Sequence, residues 1–350
     1  MGDMSRATDA SRPLDEQVNA DRMTVNEAVY WLQKYILGAA DPDVRSYGQD
    51  VLGHPDRYVW FLKHLITLGE VRHSEVLDVG CGYAWEGMLL SVLGSNRVLG
   101  VDIRQTSVDA AQGRIREMAE FGLRSQVDVI AGDICSLDLG SEAFDVVFSS
   151  EAIEHVHDLE TMVARCWRLL KRGGRMIVTD SNNALNPRVR RKIMAMWEDR
   201  ERSSDYCARL AEERADAASC EPYAVMRQRI VSASNPKLTD AAVERVVAAT
   251  AGMVKPDIAA LAATYTDSVT LPEPPSLSRC RCPVTGEYAE RLLDPYAVRK
   301  IFANQGFRRV TVRHAFRRIP LRVLNAVTVP ALSKVLFRLK PQFIVMGVKP

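Results

Sequence analysis

The stretch Val76-Leu77-Asp78-Val79-Gly80-Cys81-Gly82-Tyr83-Ala84-Trp85-Glu86-Gly87 decides how this chain is read. An apolar run carrying one acid passes into two closely spaced glycines and then into a helix-forming segment: a strand, a tight turn and a helix. Glycines at 80 and 82 can take backbone angles closed to other residues and let a ligand approach the main chain. The helix terminus that follows offers amides suited to a carboxylate or phosphate. A dinucleotide fingerprint needs a third glycine where Trp85 stands, and Trp85 is too bulky for a passing pyrophosphate. Asp78, two residues before the first glycine, would also repel a pyrophosphate. It suits the ammonium of a ligand with an amino-acid end.

Outward from this loop, short apolar runs alternate with amphipathic stretches. Residues 75–79, 97–101, 127–131, 144–149 and 175–179 read as strands; 86–93, 107–121 and 159–170 read as helices, the last stopped by Gly173-Gly174. Such alternation predicts an α/β fold, a Rossmann-like sheet of seven mostly parallel strands with helices on both faces. Upstream, helices are expected over 24–37 and 56–68, after a flexible leader over 1–20. Downstream, the alternation stops. Residues 182–293 read as a mostly helical insertion with a Pro/Ser/Arg-rich break at 271–283. A helix at 294–306 and strands at 309–315 and 342–348 then complete the sheet. The expected organisation is an N-terminal helical segment (1–70), a core (71–181), an insertion (182–293) and a C-terminal part of the core (294–350).

Taken together, the motifs and their order resemble the class I S-adenosylmethionine-dependent methyltransferases, of the UbiG/UbiE-like methyltransferase-domain type. The resemblance covers about residues 75–181 plus the last helix and strands. It implies S-adenosylmethionine as cofactor, held by Asp78, Gly80, Cys81 and Gly82 in the loop. It makes Asp102, at the end of Gly100-Val101-Asp102, the ribose ligand, with Ile103 packing on the adenine. Asp133 and Ile134, in Ala131-Gly132-Asp133-Ile134, would meet the adenine amino group and ring edge, and Ser149 is a further cofactor-binding candidate. Leu170-Lys171-Arg172-Gly173-Gly174 matches the family's turn before strand five. The chain departs from the pattern at Ala84-Trp85, and Trp85 is expected to shape the methionine end of the pocket.

Methyl transfer from a sulfonium is an in-line displacement, so the protein must align the nucleophile and sometimes take its proton. Ligands of an open α/β sheet lie beyond the carboxyl ends of its strands, which brings residues 149–157 and 180–183 beside the methyl group. His155 is the expected general base because imidazole titrates near neutrality; Glu151 is the second catalytic candidate. Glu151, Glu154 and His155 also resemble the E-x-x-E-H arrangement that holds a divalent metal in some family members, but the expected site has no metal. Asn182, Asn183 and Asn186 are candidate acceptor contacts, with turn formation as the alternative. The insertion is expected to act as a lid, with Tyr206, Tyr223, Tyr265 and Tyr288 as candidate lining.

The bulk composition narrows the partners. Of 350 residues, 46 are Lys or Arg and 44 are Asp or Glu, a net charge of +2 that does not single out nucleic acid, and none is expected as partner. The N-terminus has no apolar secretory region, and seven scattered cysteines read as reduced thiols of a cytoplasmic protein. Cys280-Arg281-Cys282 lacks the further ligands of a structural zinc site. Arg317 to Lys340 is apolar with basic ends. It reads as core cover or a homodimer face, with peripheral membrane contact as the alternative. The expected activity is methylation of an O or N atom of a small or medium organic molecule in specialised metabolism. A lipid-linked or quinone-like acceptor and a non-catalytic cofactor-binding scaffold are the alternatives.

Overall fold

The computed structural model describes residues 23–39, 44–45, 48–120, 126–213, 221–315 and 330–350. The expected leader, Cys220 and the first part of the 317–340 stretch lie outside them. A seven-stranded sheet runs β3-β2-β1-β4-β5-β7-β6. Its strands are β1 (Glu75–Val79), β2 (Arg97–Asp102), β3 (Val127–Ala131), β4 (Phe144–Ser150), β5 (Leu170–Asp180), β6 (Arg308–His314) and β7 (Phe343–Val348). The first five are parallel, and β7 is antiparallel to both β5 and β6. The expected α/β architecture is the observed one.

Period-two alternation explains how the central strands are covered on both sides. Val76 and Val98 enter one core, whereas Leu77, Val79, Leu99 and Val101 enter the other. The first core is closed by α1 (Val25–Gly38), α2 (Gln49–Gly53), α3 (Pro55–His64, extended by a π turn over Leu65–Gly69), α4 (Trp85–Val92) and α5 (Gln105–Glu120). Thr24 and Glu27 cap α1 reciprocally, which fixes its start. The second core is closed by α6 (Leu159–Leu169) and α12 (Pro295–Gln305). On α6, Leu159, Met162, Val163, Cys166 and Leu169 form the buried stripe, and Asp158 caps it through the Thr161 amide.

The glycine pair at 173–174 does not end α6, as the sequence suggested. Leu170 is already extended and pairs with Phe144, so β5 starts there and runs to Asp180. Strand pairing overrides the local turn signal.

The segment between β5 and α12 holds α7 (Pro187–Arg202), α8 (Ser204–Glu213), α9 (Tyr223–Ser234), α10 (Asp240–Ala249) and α11 (Lys255–Thr264). α9, α10 and α11 bury Val231, Val243, Val246, Ile258 and Tyr265 together; α7 packs Ile193 and Trp197 against Tyr223, Cys280 and Cys282. Arg227 of α9 donates two bonds to Glu201 of α7 in the interior, locking these two helices. The chain returns along the sheet through a parallel bridge between Asn183 and Leu293. A last helix, α13 (Pro330–Leu339), precedes β7 and was not resolved in the sequence reading. It starts at Pro330, a position in the first turn where proline is compatible.

Candidate active site

The loop after β1 turns as its glycines allow. Gly80 (φ 76°) and Gly82 (φ 50°) are both left-handed. A Cβ on Gly80 would lie 2.3 Å from the Ala152 Cβ, so this turn is wedged against the loop after β4. A Cβ on Gly82 would meet nothing within 4 Å. Gly82 therefore borders open space on the ligand side. The amides of Gly80 and Cys81 donate to the Val101 carbonyl at 2.8 and 3.1 Å, and that of Gly82 donates to Asp102 Oδ2 at 2.9 Å. The loop is thereby stitched to the end of β2.

The Cys81 side chain is not a lining group. It is buried against the position where a Cβ of Gly100 would stand, and burial, followed by Asp78 and Asp102, pushes its thiol pKa far upward. At the start of α4, Ala84 is left-handed (φ 57°) and supplies no side-chain cap, which leaves that role open to a ligand carboxylate. Trp85, expected to shape the methionine end, is buried beside Tyr35 and Arg114 in the core beneath α1.

Asp78 is buried, and its Oδ2 has no hydrogen-bond partner. Burial, with Glu86 and Asp102 adding to it, raises its pKa well above the carboxylate range. A carboxyl group so placed fits a cationic ligand group, because a nearby positive charge would relieve both the desolvation and the repulsion.

Asp102 ends β2 with its carboxylate held by two amides, Gly82 on Oδ2 and Arg104 on Oδ1, each at 2.9 Å. A carboxylate has about four acceptor positions, so about two remain for hydroxyl donors. Ile103 beside it is 53% exposed, an unusual setting for isoleucine and one suited to a flat apolar ring. The Gly132 amide donates to the Asp102 carbonyl at 2.9 Å, drawing the tip of β3 alongside that of β2. Asp133 follows, with Oδ1 accepting from the Cys135 amide and Oδ2 lying 3.9 Å from His157 Nε2. Ile134 buries its side chain in the second core. The fold thus brings the loop, Asp102, Ile103 and Asp133 to one end of neighbouring strands.

Ser149 departs from the expectation. Its hydroxyl donates to the Val79 carbonyl at 2.7 Å, and the residue is buried between β4 and β1. It ties strands together and does not present its side chain to a ligand. Glu151 departs likewise. Its backbone is left-handed (φ 51°), Oε1 pairs with Arg57 of α3 at 3.1 Å, and Oε2 accepts from the Ser181 amide and hydroxyl at 3.1 and 2.5 Å. A carboxylate so occupied is a positioning group for the loop after β4.

His155 lies where the sequence reading put it. Its Nδ1 is 3.0 Å from the Tyr288 carbonyl, and its Nε2 is 3.9 Å from Glu154 Oε1. A carbonyl only accepts, so the neutral ring carries its proton on Nδ1 and has a basic lone pair on Nε2. Its side chain is 38% exposed.

Behind His155 lies a buried acid pair that the sequence reading did not identify. Glu154 and Asp180 are both buried and lie close enough to share a proton. Burial, followed by repulsion from Glu151 and Glu290, outweighs the bond from Asp180 and pushes the Glu154 pKa up to about 7. Burial and then Glu154 raise that of Asp180. Arg291 reaches in from the insertion, donating to the Ile153 carbonyl at 2.9 Å while stacked over Tyr288. Asn182 bonds Glu290. Of the four tyrosines proposed as lining, Tyr288 lies beside His155; Tyr223 and Tyr265 belong to the buried clusters of the insertion. Asn183 and Asn186 bond the last carbonyls of α13.

Among the described residues, three sets have ligand-capable atoms within 4.8 Å of one another: Glu151–Glu154–Asp180, Glu154–His155–Glu290 and Asp133–Cys135–His157. Glu151, Glu154 and His155 do not form one such set.

A family model described as "Methyltransferase domain" matches residues 77–178. A Mycolicibacterium smegmatis protein named a probable S-adenosylmethionine-dependent methyltransferase is 28% identical over 134 residues, 37% of this chain and 48% of that protein. The ubiquinone biosynthesis O-methyltransferase of Mesorhizobium japonicum is 32% identical over 110 residues, 31% of this chain and 42% of that one. The sterol 24-C-methyltransferase of Candida albicans is 26% identical over 140 residues, 39% and 36% of the two chains. The alignments thus cover less than half the length of these relatives. A crystal structure of an S-adenosylmethionine-dependent methyltransferase from Mesorhizobium loti aligns over 82% of this chain and 95% of its own at 14% identity, with a TM-score of 0.42. The glycine loop, the acids at successive strand tips and the matched segment 77–178 together identify the chain as carrying a class I S-adenosylmethionine-dependent methyltransferase domain.

Proposed function

We propose that the whole chain is an enzyme that transfers a methyl group from S-adenosylmethionine to an O or N atom of a small or medium organic acceptor in specialised metabolism. The observation that carries this reading is His155, half-exposed beyond the strand tips with Nδ1 tied to the Tyr288 carbonyl and Nε2 basic. When bound, the cofactor supplies the electrophilic methyl group. This chain's residues do the rest. Asp102 takes the ribose hydroxyls, Ile103 and the Ile134 backbone flank the adenine, and Asp133 accepts from its amino group. Asp78 balances the ammonium, and Gly80 and Gly82 let the loop close on the ligand.

His155 accepts the acceptor's proton at Nε2, and Glu154 beside it stabilises the imidazolium that forms. Residues 182–293 act as the lid: Tyr288 orients the base, while Arg291 and Glu290 wall the acceptor side. Six buried cysteines without a disulfide support a reducing, cytoplasmic setting. Among the described residues, no helix is long and apolar enough to cross a membrane. A lipid-linked acceptor is the second reading, favoured by the exposed apolar face of α13.

Replacing His155 with alanine is expected to lower turnover about a hundredfold or more, the usual worth of a general base. Release of S-adenosylhomocysteine across a panel of phenols, catechols and amines measures turnover, and calorimetry follows cofactor affinity, which stays unchanged. Undiminished turnover would remove His155 as the base. Metal is not part of this reading, because Glu151 is already held by Arg57 and Ser181. Dialysis against a strong chelator should leave turnover intact; a loss restored by Mg²⁺ or Mn²⁺ would reverse that.

A further inference from the structure

We propose that helix α13 is a docking surface for an anionic lipid bilayer. One side of this helix is fastened to the protein. Ser333 bonds His314 Nε2 through both its carbonyl (3.0 Å) and its hydroxyl (3.1 Å), and Leu336 and Phe337 are buried. Asn183 donates to the carbonyls of Phe337 and Lys340, and Asn186 to that of Arg338. The helix is therefore ordered before anything docks on it, which removes that entropic cost from binding.

The other side faces solvent with a stripe of large apolar residues at helical spacing. Leu332, Val335 and Leu339 are 49%, 51% and 70% exposed. Lys334 and Arg338, one turn apart, are exposed along one flank of that stripe. An apolar stripe bordered by cations matches the boundary between acyl chains and acidic headgroups. A helix of 10 residues lies on such a boundary and does not cross it.

The charge of the surrounding chain carries the inference further. Residues 295–350 contain 12 Lys and Arg and no Asp or Glu. The whole chain has 46 basic and 44 acidic residues, so the preceding 294 residues carry ten more acids than bases. The C-terminal part of the sequence is thus cationic, and the described cations that border the stripe are the exposed Lys334 and Arg338. Such charges favour an anionic surface. A nucleic acid would use the cations but would gain little from three exposed aliphatic side chains. The location also fits a lipid-facing role. The C-terminal end of α13 is held by Asn183 and Asn186, in the turn just after β5, at the same end of the sheet as His155. Docking through α13 would turn the acceptor side toward the bilayer.

The full chain is sedimented with vesicles of phosphatidylcholine alone and of phosphatidylcholine mixed with phosphatidylglycerol. Binding is expected only to the mixed vesicles and should fall as salt is raised. Lys334→Gln with Arg338→Gln should weaken it roughly thirtyfold. Leu332→Ser with Leu339→Ser should abolish it, although the charge is unchanged; both pairs are exposed, and thermal unfolding checks that the fold persists. None of these measurements depends on methyl transfer. Equal binding to both vesicle types, no binding, or binding indifferent to the leucine pair would overturn the proposal. Tight binding to duplex DNA or RNA that ignores the leucine pair would replace it with a nucleic-acid surface. A dimer dissolved by the leucine pair, with no vesicle binding, would replace it with self-association.

Discussion

Replacing Asp102 with alanine is expected to weaken S-adenosylmethionine binding by about a hundredfold or more while leaving the fold intact. Its carboxylate ends β2 and accepts from two backbone amides, those of Gly82 and Arg104. The remaining acceptor positions would take two ribose hydroxyls. A hydrogen bond to a charged group is worth roughly 1.5–3 kcal/mol, so two lost bonds cost about 3–6 kcal/mol of binding. A second loss adds to this. Without the carboxylate, the Gly82 amide has no acceptor and the glycine loop is no longer stitched to β2, so the site is less preorganised. Asp102→Asn retains one oxygen and should fall between the two. The fold should persist because Asp102 lies at a strand end and Val98 and Val101 in the same strand keep their core contacts. Calorimetric titration with S-adenosylmethionine and S-adenosylhomocysteine measures the loss, and circular dichroism checks the fold. Unchanged affinity in the alanine variant would remove the ribose assignment.

What could be read from the chain in advance follows from how local each feature is. Asp102 and Asp133 stand at the ends of apolar runs, and parallel pairing brings neighbouring strand ends together, so spacing along the sequence predicted their proximity. Gly80 was legible because only glycine tolerates both its φ and the Ala152 contact. The Glu154–Asp180 pair was not legible in this way. It is assembled by the register that sets Ser150 opposite Thr179, and neither flanking segment announces its partner. Arg57 arrives from a helix before the sheet, and Arg291 and the Tyr288 carbonyl arrive after the whole insertion. Ser149 and Glu151 carried the right residue types at the right strand tip. Their assignment failed because side-chain direction and competing partners are tertiary facts: one hydroxyl turns to Val79, and one carboxylate is taken by Arg57 and Ser181.

The pair itself supplies the second large effect: Glu154→Gln should stabilise the protein at pH 8 relative to the unmodified chain. Glu154 titrates at about 7 in the folded state against a reference of 4.5, chiefly through burial and then through its like-charged neighbours Glu151 and Glu290. Asp180, itself buried and raised, hydrogen-bonds it, and His155 and the Arg291 guanidinium lie on its other sides. The sign follows from proton counting. Between about pH 4.5 and 7 the folded state holds a proton on Glu154 that the unfolded state has released, so unfolding loses protons and stability falls as pH rises. Below 4.5 both states are protonated and the penalty is absent. Above 7 both are ionised and it is complete, at about 3 kcal/mol. Glutamine matches the shape of the protonated acid but cannot ionise, so it escapes that penalty. The two proteins should therefore unfold at similar temperatures near pH 4.5 and diverge through neutrality, the variant ending several degrees higher. The separation should also survive added salt, because the interior is shielded from counter-ions. Curves that run parallel from pH 4 to pH 8 would show that Glu154 ionises in the folded state as freely as in water. The acid pair would then be neither a shared-proton site nor a partner able to stabilise a charged His155.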